Sequence, residues 1–254
     1  MESAGILRVL TLNIAHGRKR GPHQLLKRRR SIRANLDDVV EVIRRESPNV
    51  VALQEADGPS AWSGQFDHVR YLAEAGGFDY AVQGQHVNGV TLRYGTALLA
   101  QRPLRDPISV VFRRSPPSFS KGFVASLLDW PGFGNEGVDV VSLHLDFLRN
   151  TVRHRQIRQV IDALGHCPRP LIVMGDFNCS WKQGRTPLSL FAEELELRAF
   201  EPYADELVTF AKTSRRLDWI LVSPELEFAS HRILDDPLSD HYAVIAEIRQ
   251  PCSA

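Results

Sequence analysis

Two mixed β-sheets packed face to face with helices on their outer surfaces form the α/β arrangement that this sequence predicts. Three observations carry the prediction. Runs rich in Val, Ile and Leu recur at strand length, and segments of helical period lie between them. Some neighbouring runs are joined by Gly/Pro-rich connections suited to hairpins. Hairpins and crossovers together require mixed sheets, and sheets that bury one face against each other leave their helices outside.

Ile6 to Ile14 reads as a buried strand followed by a turn containing Gly and His. Ser31 stands as the N-cap of a helix that aligns Ile32, Leu36, Val39, Val40 and Ile43, stopped before Pro48. Asn49 to Gln54 is the next buried strand. A helix over Asp67 to Ala75 follows, then strands near Tyr80 to Gln83, Gly95 to Ala100 and Ile108 to Phe112. Gly122 to Asp129 and Val138 to Leu145 read as a hairpin. The amphipathic helix that turns Ile157, Val160, Ile161 and Leu164 inward ends at Gly165. Leu171 to Met174, Leu217 to Val222 and Tyr242 to Ile248 complete the strands.

A length of 254 residues with 43% hydrophobic content is enough for a large core, and one domain over 1–254 is expected. No apolar run reaches membrane-spanning length, and Met1 to Ala15 lacks the layout of a signal peptide, which predicts a cytoplasmic protein. Cys167, Cys179 and Cys252 are too few and too irregular for a disulfide framework or a zinc site, which fits a reducing compartment. The net charge of +1 hides a segregation, because Arg18, Lys19, Arg20, Lys27, Arg28, Arg29, Arg30 and Arg33 cluster without an acidic residue and the remainder is acidic. Beside a site, that segment would attract a polyanion or an anionic head group; the competing reading is a solvated loop entering a charged helix face.

Six apolar runs end in residues that bind metal or phosphate. Glu55 stops the second strand and offers the oxygen ligands that a hard cation such as Mg²⁺ prefers, while Asn13, in the same position on the first strand, could orient a metal carboxylate. The competing reading makes each an ordinary surface residue. In Gly175-Asp176-Phe177-Asn178 the glycine frees the turn, so that Asp176 can align or deprotonate a water and Asn178 can donate to a phosphoryl oxygen; a structural Asx turn is the alternative. His241, preceded by Ser239 and Asp240, is of the side-chain type whose unperturbed pKa suits proton transfer near neutrality, and Asp218 at another strand entrance could fix its tautomer and stabilise its protonated form; a hydrogen-bonded turn is the alternative. His144 and Asp146, two apart, share a face and suggest a functional edge, with Lys121 a cation for phosphate.

Taken in order, Thr11-Leu12-Asn13-Ile14, Leu53-Gln54-Glu55, Ser142-Leu143-His144-Leu145-Asp146, Gly175-Asp176-Phe177-Asn178, Arg216-Leu217-Asp218-Trp219-Ile220 and Ser239-Asp240-His241 resemble the endonuclease/exonuclease/phosphatase superfamily with the deoxyribonuclease-I-like fold, from Ile6 to Ile248. The resemblance implies a four-layer α/β sandwich and a divalent-metal phosphoesterase. It implies Glu55, Asn13 and Asp240 around Mg²⁺ or Mn²⁺, with Asp176, Asp218, His241, Asn178 and His144 catalytic and Asp146, Lys121 and His16 binding substrate. Which of Asp176 and His241 acts as base stays open. Asn13-Ile14-Ala15-His16-Gly17, Tyr94-Gly95-Thr96-Ala97-Leu98-Leu99 and Arg102-Pro103-Leu104 look most like the bacterial-type hydrolases of this group. His144 stands where abasic-site endonucleases generally carry tyrosine, which argues against a dedicated DNA-repair role.

The expected substrate is a phosphate ester, a phosphodiester of nucleic acid, lipid or small-molecule type before a monoester, acted on by a monomer. Trp62, Trp130, Phe133 and Trp181 fall in loops and could line a pocket or meet a membrane surface. A noncatalytic nucleic-acid-binding protein of the same fold would show gaps in the metal and acid/base set, and the sequence has none.

Overall fold

Twelve strands and four α-helices are present among the residues that the computed structural model describes, 5–19, 29–89, 91–131, 133, 137–165, 168–181, 184–204 and 206–251. β1 (Ile6–Asn13), β2 (Val50–Asp57), β3 (Tyr80–Asn88), β4 (Arg93–Ala100), β11 (Glu227–Ile233) and β12 (Val244–Arg249) make one sheet in the order β11-β12-β1-β2-β4-β3. The other contains β5 (Leu104–Val111), β6 (Gly122–Leu128), β7 (Val138–His144), β8 (Leu171–Asp176), β9 (Arg198–Ala199) and β10 (Asp218–Val222), ordered β5-β6-β7-β8-β10-β9. Each sheet is mixed: β1 and β2 run parallel, as do β7 and β8, while the other pairs are antiparallel.

Helices α1 (Arg29–Glu46) and α2 (His68–Gly76) cover the outer face of the first sheet; α3 (Asn150–Leu164) and α4 (Pro187–Glu194) cover the second. Strand alternation explains the layering. Along β1, Leu10 and Leu12 face α1, whereas Leu7 and Val9 face the second sheet. Three apolar cores result: one under α1 and α2, one between the sheets, and one under α3 and α4. The middle core joins Val50, Ala52 and Leu98 to Val140, Ile172, Met174 and Ile220. These are the four layers of an α/β sandwich.

Toward the ends of β1, β2 and β7 this interlayer becomes polar. Gln54 Nε2 donates to Ser142 Oγ at 3.1 Å and Ser142 donates to the Leu53 carbonyl at 2.9 Å, so two fully buried side chains tie β2 to β7. Buried polar groups are costly unless paired, which makes these bonds strict about the relative setting of the sheets.

The expected strands and long helices form with shifted bounds. Ser31 lies inside α1 and does not cap it. Asp67 is the N-cap of α2, its carboxylate accepting from the Arg70 N–H. Three elements were not expected from sequence: α4, β9 and β11. Trp130 and Phe133 are buried in the middle core, and Trp130 also forms part of the wall of a surface pocket beside Arg8 and Gln101. Trp62 and Trp181 are half-buried. Cys179 is a free buried thiol; Cys167 and Cys252 lie outside the described residues.

Candidate active site

Pairing across the second sheet sets four residues in one row: Gly122, His144, Asp176 and Asp218 are consecutive register partners on β6, β7, β8 and β10. Gly175, just before Asp176, allows this close approach, since a Cβ there would sit 2.0 Å from the Leu143 carbonyl oxygen. From the first sheet, Asn13 at the end of β1 reaches across the seam, and its Nδ2 donates to Asp176 Oδ2 at 3.0 Å. The same oxygen lies 3.4 Å from His144 Nε2 and 3.8 Å from His241 Nε2. Asp176 Oδ1 accepts from the Asn178 backbone N–H at 2.9 Å. One fully buried carboxylate is therefore the meeting point of both sheets.

His241 is backed by Asp218, whose Oδ2 is 2.8 Å from Nδ1. Thr209 holds Asp218 in place, its hydroxyl accepting from the Leu217 and Asp218 N–H groups. Burial opposes charge on His241, but Asp218 and Asp176 outweigh it and raise its pKa to about 10. For Asp176, burial is the largest influence and raises the pKa to about 7; His241 pulls it down and Asp218 pushes it up. His144 is held well below the usual histidine range by burial and by Lys121, whose ammonium lies 3.0 Å from Nε2. A neutral His144 makes its approach to Asp176 a polar contact without ionic character.

Glu55 occupies a bulge in β2 with φ 50°. Its Oε1 is 3.5 Å from Lys121 Nζ and its Oε2 is 3.3 Å from His16 Nε2. Burial disfavours its charge, yet His16, Lys121, His144 and Arg18 overcome this and keep it ionised far below the ordinary carboxylate range. His16 in turn has its Nδ1 2.7 Å from Asp57 Oδ1 and its ring edge-on to Trp62 and Tyr94. Burial lowers the His16 pKa, but Asp57 and Glu55 raise it on balance. Ala15, His16 and Gly17 all have positive φ, a backbone that costs about 1–2 kcal/mol for each non-glycine residue. Asp240 accepts from Lys212 at 2.7 Å, and Arg18 lies 4.0 Å away.

An unbroken series of contacts thus runs from Glu55 through Lys121, His144 and Asp176 to His241 and Asp218, with Asn13, Asn178 and His16 attached to it. Asp240 adjoins this series, close enough to raise the His241 pKa. Asp146 is engaged elsewhere, its Oδ1 accepting from the Leu148 and Arg149 N–H groups that open α3. The Asn178 amide donates to the Leu145 carbonyl. Sequence reading missed Thr209, Lys212 and Phe210, whose ring centroid is 4.7 Å from that of His241. They sit in a polar loop without periodicity. Asp57 was more accessible, being a second carboxylate two positions beyond Glu55.

One group among the described residues brings its donor atoms close enough to hold a metal. Asp176, Asp218 and His241 each offer a ligand atom within 4.8 Å of the others. Asp218 Oδ2 and His241 Nδ1, however, already satisfy each other. Glu55 and Asp240 are hard oxygen donors of the kind Mg²⁺ or Mn²⁺ prefers, each beside cationic side chains, His16 and Lys121 at Glu55 and Arg18 and Lys212 at Asp240. Asn13 has its amide oxygen on the Ala15 N–H at 3.0 Å and its nitrogen on Asp176, and acts here as an orienting group.

Of the basic segment, Arg18 adjoins Asp240 and Lys19 pairs with Asp38, while Arg29 and Arg33 lie over the Phe66 and Tyr71 rings on the exposed side of α1. Arg20, Lys27 and Arg28 are outside the described residues.

Residues 10–241 match the Endonuclease/Exonuclease/phosphatase family. The chain belongs to this family. No curated protein matches its sequence significantly. Among solved structures of endonuclease/exonuclease/phosphatase proteins, one from Beutenbergia cavernae shares 21% identity at a TM-score of 0.72, covering 97% of this chain and 72% of that one. The human nocturnin catalytic domain with bound sulfate is 19% identical, with a TM-score of 0.70 and coverage of 97% and 94%. A Bacteroides thetaiotaomicron mannosyl-6-phosphatase is 15% identical, with a TM-score of 0.71 and coverage of 95% and 99%. At these identities the likeness is one of fold. Membership makes the chain one of a family composed mostly of hydrolytic phosphoesterases.

Proposed function

We propose that this protein is a divalent-metal-dependent phosphodiesterase that hydrolyses its substrate by in-line attack of water. The observation that carries the reading is the convergence on Asp176 of Asn13 and His241, from the end of β1 and the approach to β12 in one sheet, and of His144 from the other. Asp176, poised near neutrality, accepts a proton from the attacking water, and Asn13 together with the Asn178 N–H fixes its two oxygens. His241, kept protonated by Asp218, donates to a phosphoryl oxygen as charge develops there. Lys121 and neutral His144 lie beside that position and bind the remaining oxygens, and Asn178 and His16 border it. Glu55 and Asp240 would hold Mg²⁺ or Mn²⁺, which supplies charge neutralisation for the phosphate and a lowered pKa for bound water.

The test is hydrolysis of bis-p-nitrophenyl phosphate against the p-nitrophenyl monoester with Mg²⁺ or Mn²⁺, in wild type, Glu55→Ala and His241→Ala. Faster diester turnover that both substitutions abolish is expected. Turnover that survives both would remove the site; faster monoester turnover would make the protein a phosphatase.

A further inference from the structure

Behind Glu55 lies a second carboxylate-backed histidine. His16 contacts Glu55 Oε2 through Nε2 at 3.3 Å and Asp57 Oδ1 through Nδ1 at 2.7 Å. This repeats, within the first sheet, the Nδ1-to-carboxylate connection that Asp218 of the second sheet makes to His241 at the approach to β12. We infer that His16 is a positioning residue for Glu55, braced by Asp57, so that the carboxylate presents a single fixed oxygen to its cation. The inference rests on the reading of Glu55 as a cation ligand.

Three features set this arrangement apart from ordinary core packing. Ala15, His16 and Gly17 take positive φ in succession, and Glu55 itself sits at φ 50°, so both partners occupy backbone conformations that side chains disfavour. Strain of this kind persists where the surrounding structure imposes it, and here it accompanies an imidazole held between Glu55 and Asp57. Asp57 is fully buried and its Oδ2 has no hydrogen-bond partner among the described residues, a poor use of a carboxylate if stability were its purpose. The ring is also fixed in its plane, with Trp62 and Tyr94 edge-on at centroid distances of 5.7 Å and 4.8 Å. A donor locked in this way removes Oε2 from coordination and leaves Oε1, which faces Lys121. Groups that orient metal ligands generally influence affinity strongly, and their removal costs about 10–100-fold.

Calorimetric titration of the metal-free protein with Mn²⁺ tests this. His16→Ala is expected to weaken Mn²⁺ binding by about 10–100-fold. His16→Gln, whose amide can still donate to Oε2, should recover part of the loss, and Asp57→Asn should fall between His16→Ala and wild type. Wild-type affinity in folded His16→Ala, judged by far-UV circular dichroism, overturns the inference. If His16→Ala does not fold, wild-type affinity in both His16→Gln and Asp57→Asn overturns it. Glu55→Gln separates the two claims: lost binding there, beside intact binding in His16→Ala, removes only the positioning role, whereas intact binding in Glu55→Gln removes Glu55 as a ligand.

Discussion

At the scale of single residues, the chemistry depends on Asp176 losing a proton that His241 keeps. With Asp176 at about 7 and His241 at about 10, activity should rise as Asp176 ionises, hold between the two values and fall as His241 deprotonates. The profile of kcat/KM against pH checks this. Asp218→Asn removes a charge that supports protonated His241, so the alkaline limb should move to lower pH and kcat/KM should drop about 10²–10⁴-fold. The same shift has a stability consequence. A carboxyl group whose folded pKa is raised favours the folded state below its unfolded value and disfavours it once ionised. Asp176→Asn should therefore abolish turnover yet stabilise the protein at pH 8 by about 1 kcal/mol, or about 2–4 °C in Tm, measured by calorimetry. Residues such as Asn13, Glu55, Asp176 and His241 were legible because each lies at one end of an apolar run. Lys212 and Phe210 were not, because a polar loop gives no sign of which strand end it will cover.

At the scale of elements, β8 and the loop over 209–216 decide how the site is held. Gly175→Ala would drive a Cβ into the Leu143 carbonyl and part β7 from β8, with an expected loss of about 2–3 kcal/mol in chemical denaturation. Thr209→Val keeps the shape of its side chain but deprives the Leu217 and Asp218 N–H groups of their acceptor. A cost of about 1–3 kcal/mol is expected, together with a fall in kcat that a purely structural threonine elsewhere would not cause. The buried strands could be read from sequence because continuous apolar runs leave few other solutions. β11 escaped because it is an edge strand, half-buried along Glu227–Ile233 and carrying Glu, Ser, His and Arg. The short α4 escaped too, although Thr186, Pro187 and Ser189 form a capping box at its start that the residues alone already spelled out.

At the scale of the whole molecule, charge is distributed so that Arg18 marks the edge of the site and Arg29, Arg30 and Arg33 continue along exposed α1. For a nucleic-acid substrate, oligonucleotide affinity should fall steeply with salt. Replacing Arg18, Arg29 and Arg33 by Ala should then weaken binding and flatten that slope by about 0.7–0.9 for each phosphate no longer neutralised. Binding insensitive to salt would favour small or lipid esters. The sequence predicted the layers, but which strand ends face one another across them depends on register, which no single segment encodes. Two of the cross-seam bonds, Gln54 to Ser142 and Asn13 to Asp176, act together as a gauge block between the sheets. Mild heat or denaturant that lets one slab slide against its mate by a fraction of a bond length should extinguish turnover while circular dichroism still reports every strand intact.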